Sequence, residues 1–272
     1  MNAIQVIEFI PRIDSMLIDL LRSLSADDWE RPATPRWRVK EVVGHLLDGN
    51  LRRLSMARDG YWGEPFSGDS LVDFLNELNA DWVRAMRRVS PQVLTWLLEL
   101  SNRQVADYFR SLDPEGQATF AVSWAGEEKS KNWFDIAREY TEKWHHQQQI
   151  RVAVGRDVDT IMSRELYYPV LDTFMRVLPH GYREVRAIEG VTVALRVTGE
   201  AGGTWYLRRG ATSWELRGTG SRELQGEVTI PQEIAWKLFT KGLPADEARR
   251  QLKFAGDEKL TSPILKVVAI VG

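Results

Sequence analysis

Two side chains that can bind a metal ion stand four residues apart in the middle of the chain. Glu142 and His146 lie in the stretch Glu142-Lys143-Trp144-His145-His146, which holds two of the four histidines. On an α-helix, side chains four residues apart project from the same face, so this carboxylate and this imidazole can share one divalent ion. A stable site then needs a third ligand from another element.

The other two histidines are possible sources of the third ligand. His180 is typical of a loop or a helix end, whereas His45 lies at the edge of the apolar stripe of a predicted helix. Two such helices packed side by side could bring His45, Glu142 and His146 together around one ion. Three protein ligands with an open fourth position form a catalytic rather than a structural metal site.

His145 competes with His146 for this role, since it is three residues from Glu142. The apolar stripe of the helix includes Tyr140 and Trp144, and it places Glu142 and His146 on the same side. His145 is rotated by about 100° from His146. We therefore predict that His146 is the ligand, and that His145 is either exposed or lies beside the ligands.

Each of these signals also has a simpler explanation. A Glu–His pair is commonly a solvated surface pair, and a lone histidine at the edge of a core is more often hydrogen-bonded than bound to metal. Trp124 and Tyr140 are either core residues or part of a pocket near the metal helix. The metal hypothesis therefore depends on the two helices acting together.

Apolar residues at intervals of three to four predict four or five long helices in the first half, which favours a bundle. The first helix covers residues 3–24, and we expect Pro11 to kink it. The helix with the metal pair runs through residues 131–155. The predicted capping residues of the helices between these two are Thr34 before Pro35, Asp69 or Ser70, and Ser90 before Pro91.

The second half changes from helical spacing to strict alternation. Strands are predicted over residues 191–197, 205–207, 214–216 and 227–230. Helices follow, one after Pro231 and a last one through residues 260–268. We predict two domains, a helical bundle over 1–158 and a connecting helix with an α+β domain over 159–272.

The composition excludes several function classes. The 272 residues include no cysteine, so thiol chemistry must use a thiol brought from outside. A formal net charge of -2 gives no long-range attraction to nucleic acid or anionic lipid. The N-terminal residues lack a signal-peptide pattern, and no apolar run reaches 18 residues. We therefore expect a cytoplasmic protein without nucleic-acid or membrane partners. The sequence leaves open whether it forms a homodimer.

Three segments resemble one protein family. Residues 37–46 (WRVKEVVGHL) are similar to the second helix of the DinB-like superfamily. Residues 142–155 (EKWHHQQQIRVAVG) resemble the fourth-helix motif of its mycothiol-dependent maleylpyruvate isomerase-like branch. The C-terminal half, through residues 254–257 (FAGD), resembles the sterol-carrier-protein-like domain that follows in that branch.

The resemblance implies an antiparallel four-helix bundle followed by a smaller α+β, sterol-carrier-like domain. It also implies a divalent ion on His45, Glu142 and His146, with Zn2+ as the first candidate and Ni2+ as the alternative. A low-molecular-weight thiol such as mycothiol would act with a small-molecule substrate. The family often has Asp at the position of Gln149, so Gln149 replaces a carboxylate that would orient a ligand.

The isomerases of this branch also take a functional arginine from the C-terminal domain. Arg249 and Arg250 are the candidates by region. The sequence therefore predicts a metal-dependent thiol transferase or isomerase. The alternative is a non-catalytic module of the same superfamily that binds a metal or an apolar ligand.

Overall fold

The protein, seen in a computed structural model, is described over residues 1–63, 71–220 and 223–269. Its internal contacts divide it into two compact units. The helical unit comprises Gln5–Thr119 and Arg138–Ile161, and the mixed unit comprises Met1–Ile4, Phe120–Ala137 and Met162–Val271. The predicted α plus α+β class is confirmed. Within the described ranges, no helix is long and apolar enough to cross a lipid bilayer.

The helical unit is built from long helices around one apolar core. Its helices are α1 (Ile10–Arg22), α2 (Ala26–Trp29), α3 (Val39–Arg52), α4 (Leu71–Met86), α5 (Pro91–Ser111) and the part of α6 (Asn132–Val154) from residue 138 onward. A π-helical turn, Arg53–Arg58, continues α3. Helices α1, α3, α5 and α6 supply most of the buried core, which includes Leu17, Leu21, Val42, Val43, Leu46, Leu98, Ile150 and Val154.

A buried polar network joins the same four helices. The Lys143 ammonium of α6 donates to Asp14 Oδ1 of α1 at 2.8 Å and to Asn102 Oδ1 of α5 at 2.9 Å. Asn50 of α3 donates to Asn102 Oδ1 at 2.7 Å and to Ser101 Oγ at 2.9 Å. Because an unpaired charge in this interior would be costly, Lys143 requires these partners.

The first two predicted helices correspond to α1 and α3, and both begin later than the sequence suggests. Pro11 lies in the first turn of α1, where its missing N–H costs nothing, so the predicted kink is wrong. Thr34 does not cap α3, because its hydroxyl accepts the N–H groups of Arg36 and Trp37 and closes a turn instead. Helix α3 begins at Val39.

The later helix starts agree better with the sequence. Ser90 caps α5 as predicted, with its hydroxyl accepting the N–H of Val93 at 3.3 Å. Helix α6 covers Asn132–Val154, almost the whole predicted range. The predicted cap at Asp69 or Ser70 lies outside the described residues.

The mixed unit contains a five-stranded sheet of order β3-β2-β1-β4-β5. Its strands are β1 (Thr192–Thr198), β2 (Gly203–Arg209), β3 (Trp214–Arg217), β4 (Gly226–Pro231) and β5 (Lys253–Gly256). The β1–β4 pair is parallel and the other pairs are antiparallel. The helices of this unit are α7 (Arg164–Met175), α8 (Leu178–Gly181), α9 (Gln232–Phe239), α10 (Ala245–Gln251) and α11 (Glu258–Thr261).

The end of the chain departs from the sequence prediction. Strand β5 is not foreseen, because four residues at a sheet edge are too few for alternation to be recognised. The predicted helix through residues 260–268 is wrong beyond Thr261. There the chain turns into a short 3₁₀ segment, Ser262–Lys266, with Pro263 in its first turn.

Candidate metal centre

The structure brings His45 of α3 together with Glu142 and His146 of α6. One ligand atom from each residue lies within 4.8 Å of the other two. His146 Nε2 is 3.4 Å from Glu142 Oε2. The rings of His45 and His146 meet nearly edge to face, with centroids 5.0 Å apart. Across the described part of the chain, no other group of three such residues converges in this way.

This donor set fits a divalent ion. Two imidazoles and one carboxylate are ligands that Zn2+ prefers, and donors about 2.0–2.1 Å from a tetrahedral ion stand about 3.4 Å apart. Glu142 and His146 already have that separation. The widest pair would close by on the order of 1 Å, which a side-chain adjustment can supply.

Gln149 fixes the orientation of His146. The Nδ1 atom of His146 lies 2.8 Å from Gln149 Oε1. An amide oxygen only accepts hydrogen bonds, so this contact assigns the ring proton to Nδ1. The other ring nitrogen, Nε2, faces Glu142 and is then the atom available to an ion. Metal-binding histidines commonly have their second nitrogen held in this way.

Packing against an aromatic ring helps to hold His45. The Trp37 ring lies against the His45 ring, with centroids 4.8 Å apart. The Nδ1 atom of His45 is buried and has no hydrogen-bond partner within the residues described. Trp37 is a contact that the helical spacing did not reveal. Its place in the 37–46 motif, eight residues before His45, is the signal that could have indicated it.

The electrostatics place His45 and Glu142 in their metal-binding forms. Burial lowers the pKa of His45 to about 3, and the neighbouring His146 adds to this effect, so His45 is neutral near pH 7. Burial alone would raise the pKa of Glu142, but the histidines around it outweigh burial and hold that pKa below its usual range. A neutral imidazole and an ionised carboxylate are the states that bind a cation.

A sequence comparison identifies the relatives of this chain. The family model for the mycothiol maleylpyruvate isomerase N-terminal domain matches residues 11–151, which is more than half of the chain. The chain belongs to the mycothiol maleylpyruvate isomerase N-terminal domain family. The matched range contains His45, Glu142 and His146. A search among curated proteins finds no match.

Solved structures share the fold of this family member. A histidine-to-alanine mutant of the mycothiol-dependent maleylpyruvate isomerase superposes with a TM-score of 0.55 and 11% identity, over 94% of this chain and 93% of that chain. A second crystal structure of the mycothiol-dependent maleylpyruvate isomerase gives a TM-score of 0.52 and 11% identity, over 88% of each chain. Likeness at this level of identity concerns the fold alone.

His145 of this family member is buried, so the exposed alternative is wrong. Only 3% of its surface is exposed, and its Nδ1 donates to the Thr141 carbonyl oxygen at 3.0 Å. Its ring centroid lies 4.0 Å from that of His146. The prediction of exposure failed because α6 is buried over most of its circumference here, with Gln147 and Gln148 about as inaccessible as Trp144.

The remaining predicted site residues occupy different surroundings. Tyr140 is completely buried in the helical unit, with its ring 6.5 Å from that of Phe9. Trp124 lies in the mixed unit, where its ring meets Phe134 edge to face. The structure therefore places both in packed surroundings.

Both candidate arginines lie on α10 of the mixed unit. Arg249 is engaged, because it pairs with Glu258 and stacks over the Phe254 ring. Arg250 is exposed, and no side chain among the described residues pairs with it. Neither arginine belongs to the group of His45, Glu142 and His146.

Proposed function

We propose that this family member is a metal-dependent thiol transferase or isomerase. It would use a low-molecular-weight thiol, with mycothiol as the first candidate, on a small electrophilic substrate. The observation that carries this proposal is the convergence of His45, Glu142 and His146 within 4.8 Å. Three protein ligands leave a coordination position for an external group. The Glu142 side chain is 32% exposed, so the group is accessible on that side.

The absence of cysteine supports an external thiol. A divalent ion at this site would supply positive charge that favours the thiolate form of that thiol near neutral pH. Glu142 contributes the single negative charge of the ligand set. The set therefore neutralises only half of the charge of a dication, and an anionic sulfur remains attracted to the site.

The residues around the ligands have separate tasks in this proposal. Gln149 retains the Nδ1 proton of His146, so that Nε2 faces the ion. Trp37 covers one side of His45 and excludes water there. Zinc is the first candidate for the ion because imidazole and carboxylate suit it, and nickel accepts the same donors.

The first experiment measures the bound metal. Protein is purified from zinc-supplemented cells without a chelator or a histidine tag and analysed for its elements. We expect about one divalent ion per chain. His180 provides a matched control, since it is a histidine of the mixed unit outside the ligand group. H180A should retain the ion and H146A should lose it, and wild-type protein without an ion would overturn the proposal.

The second experiment asks whether a thiol reaches the ion. Cobalt-substituted protein is titrated with mycothiol and, separately, with N-acetylcysteine while the visible spectrum is recorded. We expect new absorption from sulfur ligation, because the fourth position is open. A cobalt spectrum that neither thiol changes would favour the non-catalytic metal-binding module instead.

A further inference from the structure

A buried ion pair connects the two ligand-bearing helices beside the candidate site. Arg53 follows directly after α3, and its Nη2 donates to Glu139 Oε1 of α6 at 2.6 Å. The Arg53 side chain is 4% exposed and that of Glu139 is 20% exposed. Glu139 is three residues before Glu142, so the pair joins the end of the His45 helix to the turn that carries Glu142.

The Arg53 guanidinium is fixed on more than one side. It lies 5.5 Å from the centroid of the Phe109 ring, and Phe109 is a completely buried residue of α5. Arg138 shares the Glu139 carboxylate, with its Nη2 3.1 Å from the same oxygen. A planar guanidinium that both stacks and pairs has little freedom to move, so it can hold its partner in one place.

Stability alone does not explain such a pair. Desolvation of two buried charges commonly offsets their attraction, so well-packed apolar residues are often as stabilising. The local backbone is also unusual, because Arg53 begins the π-helical turn Arg53–Arg58. Single π-helical turns are rare and are frequently found at functional sites.

The position of Glu139 on its helix suggests what the pair does. Glu139 lies three residues before Glu142 and seven before His146, so all three share one face of α6. Glu139 is nevertheless absent from the group of converging ligand atoms. Its carboxylate is directed to Arg53 and Arg138 instead.

We propose that Arg53 and Glu139 are positioning residues of the metal centre. Their ion pair sets the separation of α3 and α6 at the ligands. It also holds the Glu139 carboxylate away from the ion, which keeps the fourth coordination position open. This inference depends on the proposed function, because it assumes that an ion binds to His45, Glu142 and His146.

The test removes the pair without changing the net charge. The double variant R53M/E139Q loses one positive and one negative charge and keeps side chains of similar length. Zinc affinity, measured by competition with a chelator, should fall by about 10- to 100-fold, as for other outer-shell partners of metal ligands. The cobalt spectrum should change shape, since the ligand geometry relaxes.

The single variant R53M tests the second half of the proposal. It removes the more deeply buried of the two arginine partners of the Glu139 carboxylate, on the face that carries the ligands, and leaves Arg138 paired with it. The cobalt spectrum should indicate an added oxygen ligand, and thiol-dependent absorption should weaken. Both effects should disappear in R53M/E139Q, which has no carboxylate at position 139.

The exposed pair Arg22–Glu99 is the matched control. It has an N···O distance of 2.7 Å in the same unit, but its side chains are 57% and 26% exposed. The double variant R22M/E99Q should leave zinc affinity and the cobalt spectrum unchanged. Urea unfolding of the metal-free proteins separates a loss of stability from a loss of ligand geometry.

The outcomes distinguish this inference from the proposed function. Wild-type protein that binds no zinc would overturn both. Wild-type protein that binds zinc, with R53M/E139Q showing the same affinity and cobalt spectrum, would overturn the positioning role alone, even if stability decreased. If the double variant fails to fold, the single variant R53K replaces it in the test. R53K keeps the positive charge but loses the planar group that lies over the Phe109 ring. R53K should bind zinc several-fold more weakly with a changed cobalt spectrum, and wild-type values would reject the proposal.

Discussion

The His146 ring is oriented by Gln149, whose amide oxygen lies 2.8 Å from the ring Nδ1. The two residues are one turn apart on α6, so the proposed ligand and the group that orients it belong to the same helix. The amide accepts the same proton that an Asp at this position would accept. It contributes no charge, however, and therefore makes the imidazole less basic than a carboxylate would.

Gln149 variants test this orientation. Gln149→Leu removes the acceptor, and we expect zinc affinity to fall by about 10- to 100-fold. Gln149→Asp restores an acceptor with a negative charge and should bind zinc at least as tightly as wild type. Chelator competition measures both. Equal affinities for the Leu variant and the wild type would show that the contact does not orient the ligand.

The adjacent histidines should differ sharply on substitution. His146→Ala leaves two ligands, and we expect tight zinc binding to disappear. His145 donates to the Thr141 carbonyl and only contacts the His146 ring, so His145→Ala should change affinity by no more than about 10- to 100-fold. Zinc titration compares the two. If His145→Ala strips the metal while His146→Ala retains it, the ligand assignment is wrong.

The contact between Trp37 and His45 predicts an optical signal. Bound cobalt or copper quenches nearby indole fluorescence, and Trp37 lies directly against His45, a proposed ligand. Trp37→Phe should lose a large part of the metal-dependent quenching and still bind the ion, because a ring remains against His45. Trp96→Phe is the control, since Trp96 is 60% exposed on α5. Equal quenching in the wild type and both variants would contradict the predicted proximity.

The Lys143–Asp14 pair should affect folding stability rather than chemistry. Both residues are about 95% buried. Lys143→Met leaves Asp14 without its charged partner and should reduce the free energy of unfolding by about 3–5 kcal/mol. The double variant Lys143→Met/Asp14→Leu removes both charges and should recover most of that loss. Urea unfolding of the metal-free proteins measures the effect, and additive losses in the double variant would exclude a coupled pair.

The sequence predicted elements with strong local signals. Helix α6 follows its apolar spacing, α5 begins after the Ser90 cap, and β1 alternates as expected. The convergence of His45 with Glu142 and His146 could be predicted from the sequence, because each residue lies on a long helix with a recognisable apolar face. The family resemblance and the helical and mixed parts of the fold are confirmed.

Other features depend on tertiary contacts that local patterns do not contain. The Thr34 hydroxyl closes a turn before α3, although the same residue before proline usually caps a helix. His145 is buried because α6 is covered over most of its circumference, which a helical wheel cannot show. Arg53 meets Glu139 across 86 positions of sequence. The domain boundary after residue 158 and the sterol-carrier-like character of the C-terminal part stay predictions.

The most direct test of the metal centre is an anomalous difference map at the zinc absorption edge. Crystals are grown from zinc-supplemented protein whose metal content has been measured, with and without mycothiol. We predict one peak within about 2.0–2.2 Å of ligand atoms from His45, Glu142 and His146. We also predict a fourth position that takes sulfur when the thiol is present. Zinc bound elsewhere in the chain, or a site closed by a fourth protein ligand, would contradict the proposed centre.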